Sequence, residues 1–130
     1  MCGILGICGF EDVSNELVNG LVSIQHRGQD AAGVLTYNNG RFRMHKGRGH
    51  VPRVFENVDM SKLKGNIGLG HVRYATIGST EAIDAQPFAV NYPFGIAMVH
   101  NGNVINFVKL RKVLNDQFHR MVETSNDVEL

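Results

Sequence analysis

Apolar positions in the first half of the chain follow two periods, which predict both strands and helices. An apolar run with glycine punctuation predicts a short buried strand over Gly3–Cys8. Apolar residues at helical spacing then predict a helix that is capped by Ser14 and ends near Gly28. Residues 33–37 and 41–46 flank Asn38-Asn39-Gly40, and the second segment alternates as a half-buried strand does. They predict a β-hairpin, because Asn-Gly favours the left-handed conformations of tight hairpin turns.

The second half of the chain mixes the same two kinds of element. Residues 67–74 have the pattern of a glycine-rich strand, and residues 95–100 that of an apolar strand. The intervening residues 75–87 show no clear period, which predicts a surface loop of a length that is often functional. Asn106 is placed to cap a helix with one apolar face. Strands and helices interspersed in this way favour an α+β or layered α/β fold.

Composition and charge exclude several functional classes. Hydrophobic residues make up 43% of the 130 residues and charged residues 19%, as in a globular domain rather than a disordered chain. The formal net charge of +1 argues against a nucleic-acid or anionic-membrane partner. No apolar run reaches the length of a membrane span, and the histidines show no metal-ligand spacing. Cys2 and Cys8 are the only cysteines, so we expect no disulfide framework, a cytoplasmic location and a core position for Cys8.

Cys2 is the first candidate for chemistry. Removal of Met1 would leave Cys2 with a free α-amino group, whose reference pKa of about 7.7–8.0 suits a base near neutral pH. Such an amine can activate the thiol of the same residue without a histidine partner. The alternative is a buried strand cysteine with no chemical role. No Gly-x-Cys-x-Gly frame surrounds either cysteine, so a nucleophile elbow is excluded.

Other candidates become informative only in combination. The Asn101 side chain and the Gly102 backbone N–H can bind a developing oxyanion, although Asn-Gly is also a common turn. Arg73, at a predicted strand end, can bind a carboxylate in bidentate fashion, or it is a solvated surface arginine. Asp127 can hold a substrate ammonium, and Gly28 suits the position after a helix end.

Five motifs follow one another along the chain, and the candidate residues fall within or near them. They are Met1-Cys2-Gly3-Ile4, His26-Arg27-Gly28-Gln29-Asp30-Ala31-Ala32-Gly33, Gly70-His71-Val72-Arg73-Tyr74-Ala75-Thr76, Ala85-Gln86-Pro87-Phe88 and His100-Asn101-Gly102-Asn103. In this order they resemble the class II glutamine amidotransferases, which are N-terminal-nucleophile hydrolases, over essentially all 130 residues. The stretch Gln-His-Arg-Gly-Gln-Asp-Ala-Ala-Gly and the Gln-Pro-Phe sequence look most like the branch that starts purine synthesis from phosphoribosyl pyrophosphate.

The resemblance implies a four-layer αββα sandwich in which helices lie outside two facing sheets. It implies that residues 1–130 are the N-terminal part of a glutaminase domain, incomplete at the end of this chain, with a phosphoribosyltransferase domain absent from it. Gly28 and its turn would shape the wall near the thiol. Residues 73–84, with Thr76 among them, would resemble a loop that closes over glutamine.

The resemblance also implies a role for each remaining candidate. Cys2 would be the nucleophile, and Asn101 and Gly102 would form the oxyanion hole. Arg73 would bind the α-carboxylate of glutamine and Asp127 its α-ammonium group. These roles together predict hydrolysis of L-glutamine to glutamate and ammonia through a Cys2 thioester.

The implied activity of the full enzyme is amidophosphoribosyl transfer, in which the ammonia makes phosphoribosylamine. No cofactor is expected in this chain, Mg²⁺ is expected for the phosphoribosyltransferase domain, and the full-length enzyme is expected to be a homo-oligomer. Two alternatives stay open. One is the glutaminase domain of another class II amidotransferase, such as the glucosamine-6-phosphate or asparagine branch. The other is a non-catalytic fragment or interaction module, because an incomplete sandwich leaves unpaired strand edges.

Overall fold

The larger of two sheets brings the start of the chain beside a central strand. The computed structural model describes residues 1–74 and 82–130. In the described part, β1 (Gly3–Cys8), β2 (Ala31–Asn38), β3 (Arg41–Arg48) and β4 (Ile67–Arg73) form an antiparallel sheet in the order β1-β4-β2-β3. Gly3 pairs with Val72, so Cys2 lies next to the end of β4.

The hairpin between β2 and β3 confirms the prediction from Asn39-Gly40. Asn38 pairs with Arg41, which leaves the two residues as the turn. Their φ angles of 49° and 77° are left-handed at both positions, as a two-residue turn between twisted strands requires.

Helix α1 (Ser14–Ser23) covers one face of the sheet, and two glycines of β4 allow it to lie close. A Cβ atom at Gly68 would come within 2.4 Å of Leu17, and one at Gly70 within 3.0 Å of Leu21. The predicted cap is wrong, because Val13 is the residue before the helix and Asp12 accepts the backbone N–H of Ser14. The helix also ends before the predicted position, and a 3₁₀ turn over Gln25–Arg27 follows it.

The core lies between this face of the sheet and the helices. Helix α2 (Val51–Phe55) contacts β2 and α1, and a 3₁₀ turn over Met60–Leu63 closes the layer. Burial of apolar side chains here provides the main stabilisation of the fold, at about 25 cal/mol per Å² of apolar area. The buried members are Val13, Leu17, Leu21, Ala32, Val34, Val51, Val54, Phe55, Leu63 and Val72.

A smaller sheet faces the opposite side of the larger one. Strands β5 (Phe88–Val90) and β6 (Ile96–Met98) pair in antiparallel fashion after a 3₁₀ turn over Ala82–Asp84. A Cβ atom at Gly33 would lie 2.2 Å from the carbonyl oxygen of Gln86, so the two layers are in backbone contact there. The sequence does not predict β5, and β6 is shorter than its predicted range. Helix α3 (Phe107–Phe118) follows, as expected after Asn106.

The structure confirms the predicted α+β class, with α1 and α2 on one face of the larger sheet and the smaller sheet on the other. Two predictions of burial are wrong. Strand β1 lies at the sheet edge and is only half buried, and Cys8 at its far end is exposed. Of the predicted loop over 75–87, residues 75–81 lie outside the described residues. Within the described ranges, no helix has the length and apolar character needed to cross a membrane.

Candidate active site

Four of the predicted site residues line one cavity of about 190 Å³. They are Cys2, Arg73, Gly102 and Asp127, which come from four separate stretches of the chain. Antiparallel pairing of β1 with β4 explains the first two, because it places the start of one strand beside the end of the other. The remaining lining residues are Tyr74, Gln86, His100, Asn103, Phe107, Ser125 and Asn126.

The Cys2 thiol lies at the end of β4 and accepts a backbone hydrogen bond. The Tyr74 N–H donates to Sγ over 3.4 Å, and Sγ lies 3.7 Å from the Tyr74 carbonyl oxygen. Both contacts hold the sulfur against the backbone at the end of β4. The carbonyl oxygen of Cys2 is fixed from two sides, because Arg27 Nε and Asn101 Nδ2 both donate to it at 3.0 Å.

Asn101 is therefore held directly beside the nucleophilic residue. Its Nδ2 carries two hydrogens, and one of them is directed at the Cys2 carbonyl oxygen. The second remains to meet an oxyanion that develops on a substrate near the thiol. Gly102 follows on the cavity wall, where its backbone N–H is the other predicted donor. The oxyanion-hole role of both residues stays a prediction.

His71, which the sequence reasoning did not single out, contacts the far side of the Asn101 amide. Its side chain is fully buried on β4, and its Nε2 lies 3.1 Å from Asn101 Oδ1. Burial lowers the pKa of this imidazole from 6.5 to about 4, although the hydrogen bond to Asn101 opposes the shift. His71 is therefore neutral at physiological pH.

Arg73 and Asp127 supply opposite charges at the same cavity. Arg73 is only 8% exposed, which rules out the solvated surface arginine, and its Nη1 donates to the carbonyl oxygen of Asp84 at 3.0 Å. Asp127 accepts the backbone N–H of Val104 on Oδ2 at 2.6 Å, and its Oδ1 lies 3.7 Å from His100 Nδ1. A carboxylate has further lone pairs for an ammonium group.

The segment just before β5 fixes the walls that carry these charges. The buried Asp84 carboxylate accepts hydrogen bonds from the Ser125 N–H at 3.0 Å and from the Ser125 hydroxyl at 3.1 Å. Asn126 Nδ2 donates to the backbone carbonyl oxygen of Asp84 at 2.7 Å. The Gln86 side chain accepts the His100 N–H at 2.6 Å and donates to the His100 carbonyl oxygen at 3.1 Å. Gln86 stands in one of the quoted motifs, whereas no local pattern singles out Asp84.

Of the other predicted residues, Asn101 and Gly28 are not among those that line the cavity. Gly28 has an extended backbone with φ −167°, so its predicted role as a left-handed residue after a helix is wrong. Glycine is required at this position for another reason, since a Cβ atom would lie 2.6 Å from the carbonyl carbon of Arg73. Thr76 lies outside the described residues. Their substrate-binding roles stay predictions.

The described residues contain no group of three or more His, Cys, Asp or Glu side chains that could hold a metal ion. The Cys2 thiol, the Arg73 guanidinium and the Asp127 carboxylate line one small cavity. Gly102 lines it too, and the Asn101 amide lies beside Cys2. This set is suited to acyl transfer from a substrate that carries an amide together with both charges of an amino acid.

Comparison with known sequences identifies a protein family and relatives for this chain. A family model described as a glutamine amidotransferase domain matches residues 57–130. The amidophosphoribosyltransferase of Escherichia coli strain K12 is 49% identical over 131 aligned residues, which cover 100% of this chain and 26% of that protein. The amidophosphoribosyltransferase of Saccharomyces cerevisiae is 44% identical over 134 residues, with the same two coverages of 100% and 26%. The chain thus spans about a quarter of the length of these curated relatives.

Solved structures confirm the fold class. Glutamine phosphoribosylpyrophosphate amidotransferase from B. subtilis, complexed with ADP and GMP, superposes with a TM-score of 0.85 at 35% identity over 99% of this chain and 28% of that one. A structure described as the allosteric regulatory enzyme of purine biosynthesis gives a TM-score of 0.87 at 37% identity, with the same coverages of 99% and 28%. With a family model that matches more than half of its length, this chain belongs to the glutamine amidotransferase domain family.

Proposed function

We propose that this chain is the glutaminase part of an amidophosphoribosyltransferase and that it releases ammonia from L-glutamine. One observation carries the proposal: the Cys2 thiol shares a small cavity with the Arg73 guanidinium and the Asp127 carboxylate. The two charged groups are complementary to the α-carboxylate and α-ammonium groups of a free amino acid. A glutamine bound by both would extend its side-chain amide toward the third member of the set, the thiol.

The first chemical step is attack of the Cys2 thiolate on the carbonyl carbon of the glutamine amide. After Met1 is removed, the α-amino group of Cys2 takes the thiol proton. Met1 is 83% exposed, which leaves its peptide bond accessible to an aminopeptidase. The negative charge that forms on the carbonyl oxygen is stabilised by Asn101 Nδ2 and the Gly102 N–H, and one such donor contributes roughly 2.7–4 kcal/mol in well-studied enzymes.

Collapse of the tetrahedral intermediate breaks the carbon–nitrogen bond. The α-ammonium of Cys2 returns its proton to the leaving nitrogen, so ammonia departs and a γ-glutamyl thioester remains. The amine then takes a proton from water as that water attacks the thioester. Breakage of the carbon–sulfur bond releases glutamate, and the α-ammonium of Cys2 returns its proton to the sulfur, which regenerates the thiol and the free amine.

The acceptor of the ammonia is proposed from the relatives, which carry the name amidophosphoribosyltransferase. Phosphoribosyl pyrophosphate and Mg²⁺ would belong to a phosphoribosyltransferase part and not to any residue set of this chain. The resemblance also supports a homo-oligomeric full-length enzyme. Two free thiols, one of them the nucleophile, support the cytoplasm as its compartment.

The test is glutamate release by the full-length protein, with and without phosphoribosyl pyrophosphate. We expect glutaminase activity that this acceptor stimulates, and intact-mass measurement should show that Met1 has been lost. Stimulation by fructose 6-phosphate or aspartate instead would assign the chain to another class II branch. A folded protein that has lost Met1 and still releases no glutamate would support the non-catalytic alternative.

A further inference from the structure

A buried hydrogen-bond chain links β4 to the nucleophilic residue through the Asn101 amide. Asn101 Nδ2 lies 3.0 Å from the carbonyl oxygen of Cys2, and Asn101 Oδ1 lies 3.1 Å from His71 Nε2. His71 is fully buried and is not among the residues that line the cavity. The mechanism above assigns no step to this histidine.

The donor and the acceptor of each of these two hydrogen bonds follow from the atoms involved. A peptide carbonyl oxygen only accepts, so the amide atom that faces Cys2 must be nitrogen. The amide oxygen then faces His71, and because it too only accepts, His71 Nε2 must carry the hydrogen. The opposite tautomer would present a lone pair to Asn101 and favour the rotated amide, with its oxygen toward Cys2 and the substrate.

We propose that His71 is a positioning residue that fixes the Asn101 amide with its N–H groups toward Cys2 and the substrate oxyanion. The proposal rests on the proposed glutaminase function and extends it to a group outside the cavity. Burial keeps the imidazole neutral, so a single hydrogen must be shared between its two nitrogens. The tautomer of His71 therefore decides whether the site presents a donor or an acceptor to the developing negative charge.

The first test compares two substitutions at His71 in the full-length enzyme. His71→Leu keeps a similar bulk without a donor, and we expect kcat for glutamine hydrolysis to fall about 100-fold with an unchanged KM, as on loss of one oxyanion donor. His71→Gln replaces the N–H, and we expect it to recover most of kcat. His45→Leu is the matched control, because His45 is a half-buried histidine of β3 that bonds Val54.

A second reaction separates positioning from general damage to the site. Alkylation of Cys2 by iodoacetamide is a displacement at saturated carbon and develops no oxyanion. We expect the His71→Leu variant to be alkylated at the parental rate while its glutamine hydrolysis is impaired. The inference is overturned if kcat is unchanged in His71→Leu, or if hydrolysis and alkylation fall together in both variants.

The tautomer of His71 can be measured independently of enzymatic activity, by neutron diffraction from crystals of the deuterated full-length protein near pH 7. We expect deuterium on Nε2 of His71. Deuterium on Nδ1 alone overturns the inference even in an active enzyme. An inactive parent protein, in contrast, counts against the proposed function, and the neutron measurement still decides on the position of the hydrogen.

Discussion

At the scale of single residues, the two cysteines are a matched pair for testing the nucleophile. Both lie on or next to β1, but Cys2 reaches the cavity and Cys8 is exposed at the other end of the strand. Cys2→Ala should abolish glutamate release and leave the unfolding transition in place, because the thiol forms the covalent bond and contributes little to packing. Cys8→Ala should leave the activity unchanged.

Labelling provides the complementary measurement. An electrophilic glutamine analogue should add its mass to the peptide that contains Cys2 and spare the more exposed Cys8. Accessibility alone would favour Cys8, so selective labelling of Cys2 reports recognition by the cavity. Label on Cys8, or equal label on both, would contradict the assignment.

Arg73 tests recognition of the substrate rather than the chemistry. Its buried guanidinium uses Nη1 on the carbonyl oxygen of Asp84, and the planar group is suited to a bidentate contact with a carboxylate. Arg73→Lys keeps the charge but loses that geometry, so we expect the KM for glutamine to rise about 10-fold or more with a smaller change in kcat.

Arg43→Lys is the control for the Arg73 variant. Arg43 also donates to a backbone carbonyl, that of Lys64, but it does not line the cavity. Its substitution should leave both kinetic constants unchanged. Equal KM values for glutamine in the Arg73→Lys variant and the parent would mean that Arg73 does not bind the carboxylate.

At the scale of elements, the contact between the turn at Gly28 and the end of β4 fixes the position of the Arg73 backbone. A methyl group at Gly28 would lie 2.6 Å from the carbonyl carbon of Arg73, and backbone atoms cannot rotate away as a side chain can. We expect Gly28→Ala to lower the free energy of unfolding by about 1–3 kcal/mol, as overpacking does, and to raise the KM for glutamine.

Gly6→Ala is the appropriate control for this prediction. Gly6 lies in β1, and a Cβ atom there would make an ordinary contact of 3.7 Å with the Leu69 side chain. Urea unfolding of both variants should show a loss of stability for Gly28→Ala alone. Equal stabilities would show that the backbone of the turn can move to accommodate the methyl group and that the close approach does not affect the free energy of unfolding.

The elements also show why some of the fold can be predicted from sequence and some cannot. The β2–β3 hairpin was predictable because Asn39 and Gly40 set its turn locally. Gly28 was predicted as the residue that follows a helix end, which is a local reason and is wrong. The glycine is required because the backbone of Arg73, 45 positions further along the chain, lies against it. A three-residue strand such as β5 is too short to show a period at all.

The same distinction applies to the site. Cys2 and the Asn101-Gly102 pair carry their chemistry in their own residue types, so the sequence could propose them. Asp84 acts through hydrogen bonds to Ser125, and His71 through one to Asn101, so both roles exist only after the chain has folded. Resemblance to a family supplied what local pattern could not, the grouping of distant motifs into one site.

At the scale of the whole molecule, the buried His71 links stability to pH. Its pKa is about 4 in the folded chain, because burial disfavours the imidazolium, against an ordinary 6.5 in the unfolded chain. Between these values the unfolded state binds the proton and the folded state does not. The contribution of His71 to stability is therefore complete above about pH 6.5 and declines as the pH falls toward 4, with a limit on the order of 3 kcal/mol at roughly 1.4 kcal/mol per pH unit.

This pH window lies above that of Asp12. For Asp12, burial opposes ionisation, but hydrogen bonds from Gly65 and Ser14 outweigh it and lower the pKa below the ordinary 3.8, so its contribution is lost only at more acidic pH. Coulombic repulsion from Arg73 and His100 lowers the pKa of His71, whereas a hydrogen bond to the His100 backbone raises it.

Urea unfolding at a series of pH values between 7 and 4 measures the effect of His71 directly. We expect the unfolding free energy of the parent protein to decrease through this window and that of His71→Leu to be nearly flat there, even though its absolute stability differs. Because the variant removes the titrating group, the difference between the two curves isolates its proton linkage. Parallel curves would mean that His71 is protonated as readily in the folded chain as in the unfolded one, and would contradict the lowered pKa that its burial predicts.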